Sequence, residues 1–205
     1  MSTLQCTPPL FPATRTCRNL HSACLSEMHT RRLYLQSARQ MEESGLYVIA
    51  HAFRFTAAQE KEHADVFRGL LTALGGQPPM AEEAPILLPR EPLALLEAVS
   101  QAETAEADAL YPAHARTAQE EGYPRVATAL RRMAETEQTH ARRFRQYAAA
   151  LADGTLFRDA ERVGWLCLPC GQMHYGHDAP DACSTCGRCS GQFIRSSFYP
   201  FTVGR

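Results

Sequence analysis

The sequence predicts a mainly α protein, a four-helix bundle with a long crossover in its middle, followed by a small metal-binding domain. Three observations predict it. Four segments carry an apolar stripe at helical spacing with a glutamate near its middle, glycine and proline divide those segments into two hairpins and one long connection, and two Cys-x-x-Cys pairs follow the last of them.

Residues 1–16 are rich in proline and threonine and read as an irregular N-terminal arm, with Thr16 placed to cap the helix that follows. The first helix runs to about Ser44, with Leu20, Ala23, Glu27, Thr30, Tyr34, Ser37 and Met41 on one face, and Gly45 stops it. The second continues to about Leu74 on a stripe of Leu46, Ala50, Phe53, Ala57, Glu60, Ala64, Phe67 and Leu71. Gly75, Gly76, Pro78, Pro79, Pro85 and Pro89 make the next stretch a non-helical crossover. The third helix starts near Glu91 with Pro92 in its first turn, carries Leu96, Val99, Glu103, Glu106 and Leu110, and ends at Gly122. The fourth begins at Pro124, a favoured first-turn position, and runs on Val126, Leu130, Met133, Glu137, His140, Phe144 and Tyr147 to Asp153 and Gly154. Two hairpins joined by a long crossover describe a bundle of the ferritin-like type over residues 17–154, with the cysteine-bearing domain over residues 160–200.

The second hairpin repeats the first. Gly45, Glu60, His63, Ala64 and Phe67 match Gly122, Glu137, His140, Ala141 and Phe144 at one constant offset, as an internal duplication would leave them. The match slips at the first carboxylates, because Glu27 lies 18 residues before Gly45 and Glu103 lies 19 before Gly122. One extra residue is what a π turn adds, and Pro112 removes a backbone donor just beyond. Irregular helical geometry is therefore expected between Glu103 and Pro112.

At 205 residues and a formal net charge of −1, the chain has no basic run that would mark a nucleic-acid or charged-membrane surface. No stretch reaches the apolar length of a bilayer span. The first residues mix proline and arginine with short apolar runs, unlike a secretory signal, so the cytoplasm is the expected compartment. There the eight cysteines are expected to be thiols or metal ligands.

A carboxylate on a buried stripe is costly unless a cation neutralises it. One such glutamate could sit at the edge of a solvated face, but four at once point to a shared metal site. A pair of metal ions needs one carboxylate from each of two helices, here Glu27 and Glu103, and a Glu-x-x-His from each of the others, here Glu60 with His63 and Glu137 with His140. Such mixtures suit iron or manganese. Glu106, one turn after Glu103, is a seventh candidate ligand, or else a half-exposed carboxylate beside the site. Tyr34 and Tyr111 lie on or beside the stripes, where a phenol can donate to a ligand carboxylate or simply pack.

Cys167, Cys170, Cys183 and Cys186 have the spacing of a tetrahedral four-thiolate site, and a glycine after each pair permits the tight turn. Iron and zinc both accept four thiolates. Cys6, Cys17, Cys24 and Cys189 fall outside the pattern and read as ordinary thiols. His174 and His177 read as exposed loop histidines, because four thiolates already complete a tetrahedron.

With both constellations in this order, the sequence resembles the rubrerythrins, ferritin-like diiron proteins with a C-terminal rubredoxin-like domain. The resemblance runs from about Cys17 to about Phe198. It rests on Asn19-Leu20 with Glu27, Glu60-Lys-Glu-His63, Glu103-Thr-Ala-Glu106 followed by Tyr111-Pro112, Glu137-Gln-Thr-His140, and the four cysteines. It implies a peroxidase that reduces hydrogen peroxide to water at two iron ions in the bundle, with electrons entering through one iron at the cysteines. It also implies that one iron exchanges His63 for Glu106 with redox state, and that subunits pair head to tail as a homodimer. No Gly-rich dinucleotide loop is present, so a separate reductase or rubredoxin is expected as electron donor. Two positions depart from the family, which commonly has glycine where Ser26 precedes Glu27 and Ala102 precedes Glu103. Two alternatives stand beside peroxide reduction. One is an iron-binding storage protein with structural zinc in a zinc-ribbon-type domain, and the other is a diiron oxidase or electron carrier acting on oxygen.

Overall fold

The apolar stripes form helices in the expected order, α1 (Arg15–Glu43), α2 (Tyr47–Ala73), α3 (Pro92–Ala105), α4 (Tyr111–Glu120) and α5 (Pro124–Ala152). They are seen in a computed structural model that describes residues 10–80 and 85–198. Cys6 and the first nine residues of the expected arm lie outside the described residues. From Leu10 the chain makes a single 3-10 turn, Phe11–Ala13, and buries Phe11.

Helix boundaries follow local chemistry. The cap of α1 is Thr14, whose backbone is extended (φ −80°, ψ 160°) and whose Oγ1 accepts the Cys17 N–H at 3.1 Å. The capping role expected of Thr16 fails because Thr16 already lies inside the helix, where its buried hydroxyl donates to Glu121 Oε2 at 2.6 Å. Glu121 also accepts the backbone N–H groups of Arg15 at 3.1 Å and Thr16 at 2.8 Å, so a carboxylate distant in sequence completes the cap. The hairpin turns close on Gly45 (φ 73°) and Gly122 (φ 84°), conformations that a side chain disfavours. Beside them, Leu46 N–H reaches Met41 O and Tyr123 N–H reaches Ala118 O, both at 2.8 Å.

The third helix of the bundle is interrupted where irregularity was expected. A π turn occupies Glu106–Leu110 between α3 and α4, and Tyr111 N–H returns to Glu106 O. Pro112 follows at once. Its ring needs room from the carbonyl four residues back and it offers no N–H, and the wider turn accommodates both demands.

The described chain gathers into two compact units. The first comprises the residues up to Leu33 with Thr56–Ile86 and Gln101–Ala141. Its core is formed by Leu20, Phe67, Leu71, Tyr111 and Leu130 with small alanines between them. The second comprises Tyr34–Phe55, Leu87–Ser100 and the residues from Arg142 onward. Here the Phe53 and Phe144 rings stack at 4.7 Å, an arrangement that adds about 0.5–1.5 kcal/mol to simple burial.

The second unit also carries a small antiparallel sheet of order β2-β1-β3, formed by β1 (Arg158–Cys167), β2 (Met173–Asp178) and β3 (Phe193–Arg195). Trp165 stands at its centre, paired with His174 on one side and Arg195 on the other. Arg195 ties the preceding linker to the sheet, donating to the carbonyls of Thr155 at 2.6 Å and Arg158 at 2.5 Å. Gly191 rests against the Gly45 carbonyl and the Tyr47 ring, and a side chain there would collide with that backbone. No helix among the described residues is long and apolar enough to cross a membrane.

Candidate metal centre

Within the first unit, α1, α2, α3 and α5 each turn their mid-helix glutamate inward. Glu27, Glu60, Glu103, Glu137, His63 and His140 are all buried. Their atoms form two groups of four, Glu27, Glu60, His63 and Glu137 in one and Glu60, Glu103, Glu137 and His140 in the other, each with ligand atoms within 4.8 Å of one another. Glu60 and Glu137 belong to both. Glu60 sets Oε2 2.8 Å from His63 Nδ1 and Oε1 3.0 Å from His140 Nδ1. Glu137 sets Oε1 3.0 Å from His63 Nδ1 and Oε2 2.7 Å from His140 Nδ1. Glu27 and Glu103 close the ends, each with Oε2 3.7 Å from the nearer Nδ1.

Two adjacent groups that share the carboxylates of Glu60 and Glu137 are the outcome. The oxygens of Glu60 and Glu137 and both Nδ1 atoms are buried and meet one another without hydrogen-bond geometry. A buried polar atom so placed costs about 1–3 kcal/mol. The donor set and its convergence therefore fit two cations of the kind that carboxylate and imidazole hold.

Protons stand in for those cations in the metal-free chain. Burial pushes the His63 imidazole down, but the carboxylates of Glu137, Glu27 and Glu60 outweigh it and raise His63 to about 12. Burial likewise opposes charge on His140, yet Glu103, Glu137 and Glu60 raise it to about 11. Burial raises Glu137 as well, but the two histidines bring it down to about 2. Glu60 is lowered in the same way against burial. At the ends burial wins, lifting Glu103 to about 8 and Glu27 well above the ordinary carboxylate range.

Neighbouring side chains orient these groups. Tyr111, fully buried at the start of α4, donates its hydroxyl to Glu27 Oε1, and burial keeps that phenol protonated. His140 Nε2 lies 3.1 Å from Gln59 Oε1, so the proton on Nε2 leaves Nδ1 facing the carboxylates. Glu106 opens the π turn and lies outside both groups of four, its Oε1 accepting the Ser26 hydroxyl at 3.0 Å. Tyr34 belongs to the second unit, with its ring 5.5 Å from Phe53 and 5.2 Å from Phe144.

The four cysteines come together at the edge of the sheet. Cys167 Sγ lies 3.6 Å from Cys186 Sγ, and Cys170 Sγ 3.6 Å from Cys183 Sγ. A tetrahedron with metal–sulfur bonds of about 2.3 Å has edges of about 3.8 Å, so the sulfurs are spaced for one ion. Gly171 (φ 75°) and Gly187 (φ 71°) turn the chain after each pair, and their N–H groups reach Cys167 O and Cys183 O at 2.8 Å. Burial lifts Cys167 to about 12. Cys183 falls to about 5, because the Cys186 and Thr185 amides and His174 outweigh the desolvation that opposes them.

His174 corrects the expectation of an exposed loop histidine. It lies half-buried on β2, its ring edge-on to Phe193 at 5.2 Å and its Nε2 3.6 Å from Cys183 Sγ. The alternation of the strand turns it toward the sulfurs. His177 also lies on β2 but is exposed, with Nδ1 3.0 Å from Ala160 O. Cys17, Cys24 and Cys189 are free thiols outside the four-sulfur group, Cys24 buried with its Sγ 3.6 Å from Ala64 O. Gln59 escaped the sequence reading because no periodicity marks it, and so did the hydrogen bond that joins Ser26 to Glu106, because 80 residues separate them.

Comparisons with known proteins agree with this geometry. A family model described as rubrerythrin matches residues 18–148. The chain is similar to the rubrerythrin of Clostridium perfringens, 35% identical over 84% of this chain and 90% of the relative. It is similar also to the rubrerythrin of Porphyromonas gingivalis, at 34% over 84% and 86%. Among solved structures, nigerythrin in a mixed-valence state shares the fold with a TM-score of 0.61 at 24% identity, covering 95% of this chain and 96% of that one.

Proposed function

The chain belongs to the rubrerythrin family, and from that premise we propose that it is a peroxidase, reducing hydrogen peroxide to water in defence against oxidative stress. Membership makes it an oxidoreductase with a diiron bundle and a rubredoxin-like site. The finer reading assigns Glu27, Glu60, His63, Glu103, Glu137 and His140 as the ligands of two iron ions, and Cys167, Cys170, Cys183 and Cys186 as the ligands of a third. One observation carries it, namely that Glu60 and Glu137 each offer one oxygen to each of the two histidines at 2.7–3.0 Å.

Reduction of one peroxide takes up two electrons and two protons and yields two waters. Iron at the paired positions supplies the two electrons together, and iron at the cysteines supplies them singly. The chain's own groups do the rest. Glu60 and Glu137 fix the two positions side by side, where both oxygens of one peroxide can be met. Tyr111 holds its proton on the hydroxyl against Glu27, and Glu106, raised by burial to about 7 and half-exposed, holds one near neutral pH at the edge of the site. Each is a proton source for a departing oxygen. Gln59 keeps His140 in the tautomer that presents Nδ1.

The reading carries a cytoplasmic location, a separate reductase or rubredoxin as donor, and a head-to-tail homodimer. Its test is a metal analysis with a visible spectrum of anaerobically purified protein. Rubredoxin-type absorption that a reductant bleaches and peroxide restores is the expected result. Zinc at the cysteines of a colourless protein would remove the internal electron path, and recovery of colour with oxygen but not peroxide would favour an oxidase. Glu60→Ala should abolish peroxide turnover and leave the cysteine-site spectrum intact.

A further inference from the structure

The two hairpins place their candidate ligands alike except at one point. One turn beyond Glu103 stands Glu106, whereas one turn beyond Glu27 stands Thr30, and the residue before Glu27 is Ser26, whereas the residue before Glu103 is Ala102. The carboxylate and the hydroxyl that break the repeat are joined to each other, with Ser26 Oγ donating to Glu106 Oε1 at 3.0 Å. Both are half-buried, and Glu106 feels the charges of Glu137, Glu60 and His63. It is thus a fifth carboxylate and a seventh candidate ligand, outside both groups of four and turned aside.

We propose that Ser26 is a positioning residue whose hydroxyl holds the Glu106 carboxylate outside the Glu27–Glu60–His63–Glu137 group and so sets how openly that metal position is ligated. The inference rests on the reading of the bundle as a two-metal site. With Oε1 committed to Ser26, the position is left with four protein donors. For Glu106 to ligate, it must first give up that hydrogen bond. An alanine or glycine before Glu27 would release it without that cost.

The test is a Co(II) titration followed by visible absorption, on the full chain with its four-cysteine site first filled with zinc. Wild type should take up two equivalents. Ser26→Ala should bind one of them about tenfold more tightly, the factor that loss of one hydrogen bond implies. Its ligand-field band should weaken as the coordination number rises. Ser26→Thr should behave as wild type, and Ser26→Ala should have no effect in a Glu106→Gln background. Unchanged affinity in Ser26→Ala, or the same change with Glu106→Gln present, would overturn the latch while two Glu60-dependent equivalents left the metal site standing. If the wild-type bundle takes up no Co(II), the two-metal reading and the latch both fall.

Discussion

At the scale of single side chains, the site couples protons to metal uptake. The raised histidines hold protons at pH 7 beside Glu60 and Glu137, which they keep low, while burial raises Glu27 and Glu103. Divalent ions must displace those protons at pH 7, so uptake should release protons and weaken as pH falls. A pH-stat titration checks this, and uptake without proton release would contradict the ligand set. At the cysteines, His174 Nε2 lies 3.6 Å from Cys183 Sγ, and an N–H on it aimed at that sulfur would favour the more negative, reduced site. His174→Phe should lower the reduction potential of the iron-loaded site, measured by spectroelectrochemistry, with little change in its absorption maxima. An unchanged potential would show that this contact carries no electrostatic weight.

At the scale of elements, the π turn and the shared cap are the informative features. The extra residue between Glu103 and Gly122 was readable because a duplicated sequence supplies its own ruler, and the turn at Glu106–Leu110 absorbs it. It allows Glu103 to face the site while Tyr111 still reaches Glu27 from the same helix line. The cap of α1 was not readable, since Glu121 lies 105 residues from Thr16 and no local pattern links them. Burial alone would raise Glu121, but the Thr16 and Arg15 donors bring it from 4.5 to about 2. A lowered carboxylate stabilises fully above pH 4.5 and loses that contribution as pH falls toward 2. Glu121→Gln should therefore cost about 1 kcal/mol near neutrality and flatten the acid limb of the stability curve between those values, as thermal melts at several pH values would show.

At the scale of the whole molecule, the described chain gathers its two candidate metal-ligand groups in very different settings. The bundle site sits in a long-helix core with many apolar neighbours, whereas the sheet around the cysteines is small, centred on Trp165 and Phe193. Cores of that size commonly draw stability from a bound ion. Trp165 is the single tryptophan, so its fluorescence reports the cysteine domain alone. Removing that ion with a chelator should shift the fluorescence and raise proteolysis beyond Gly154 while the far-UV helix signal persists. Loss of both signals together would show that the helices need the cysteine-bound ion.

The sequence by itself determined the helices, the hairpins, the inward faces of six bundle ligands and the four-cysteine knuckles. Each is written in local period or spacing, where neighbours along the chain constrain one another. Only the tertiary structure decided that Glu60 and Glu137 belong to both groups of four while Glu27 and Glu103 each belong to one. It alone joined Ser26 to Glu106 and Gln59 to His140, pairs separated by 80 and 81 residues. Such pairs depend on how distant helices meet in rotation and height, and a hydrogen bond responds to differences of a few tenths of an ångström that no periodicity records.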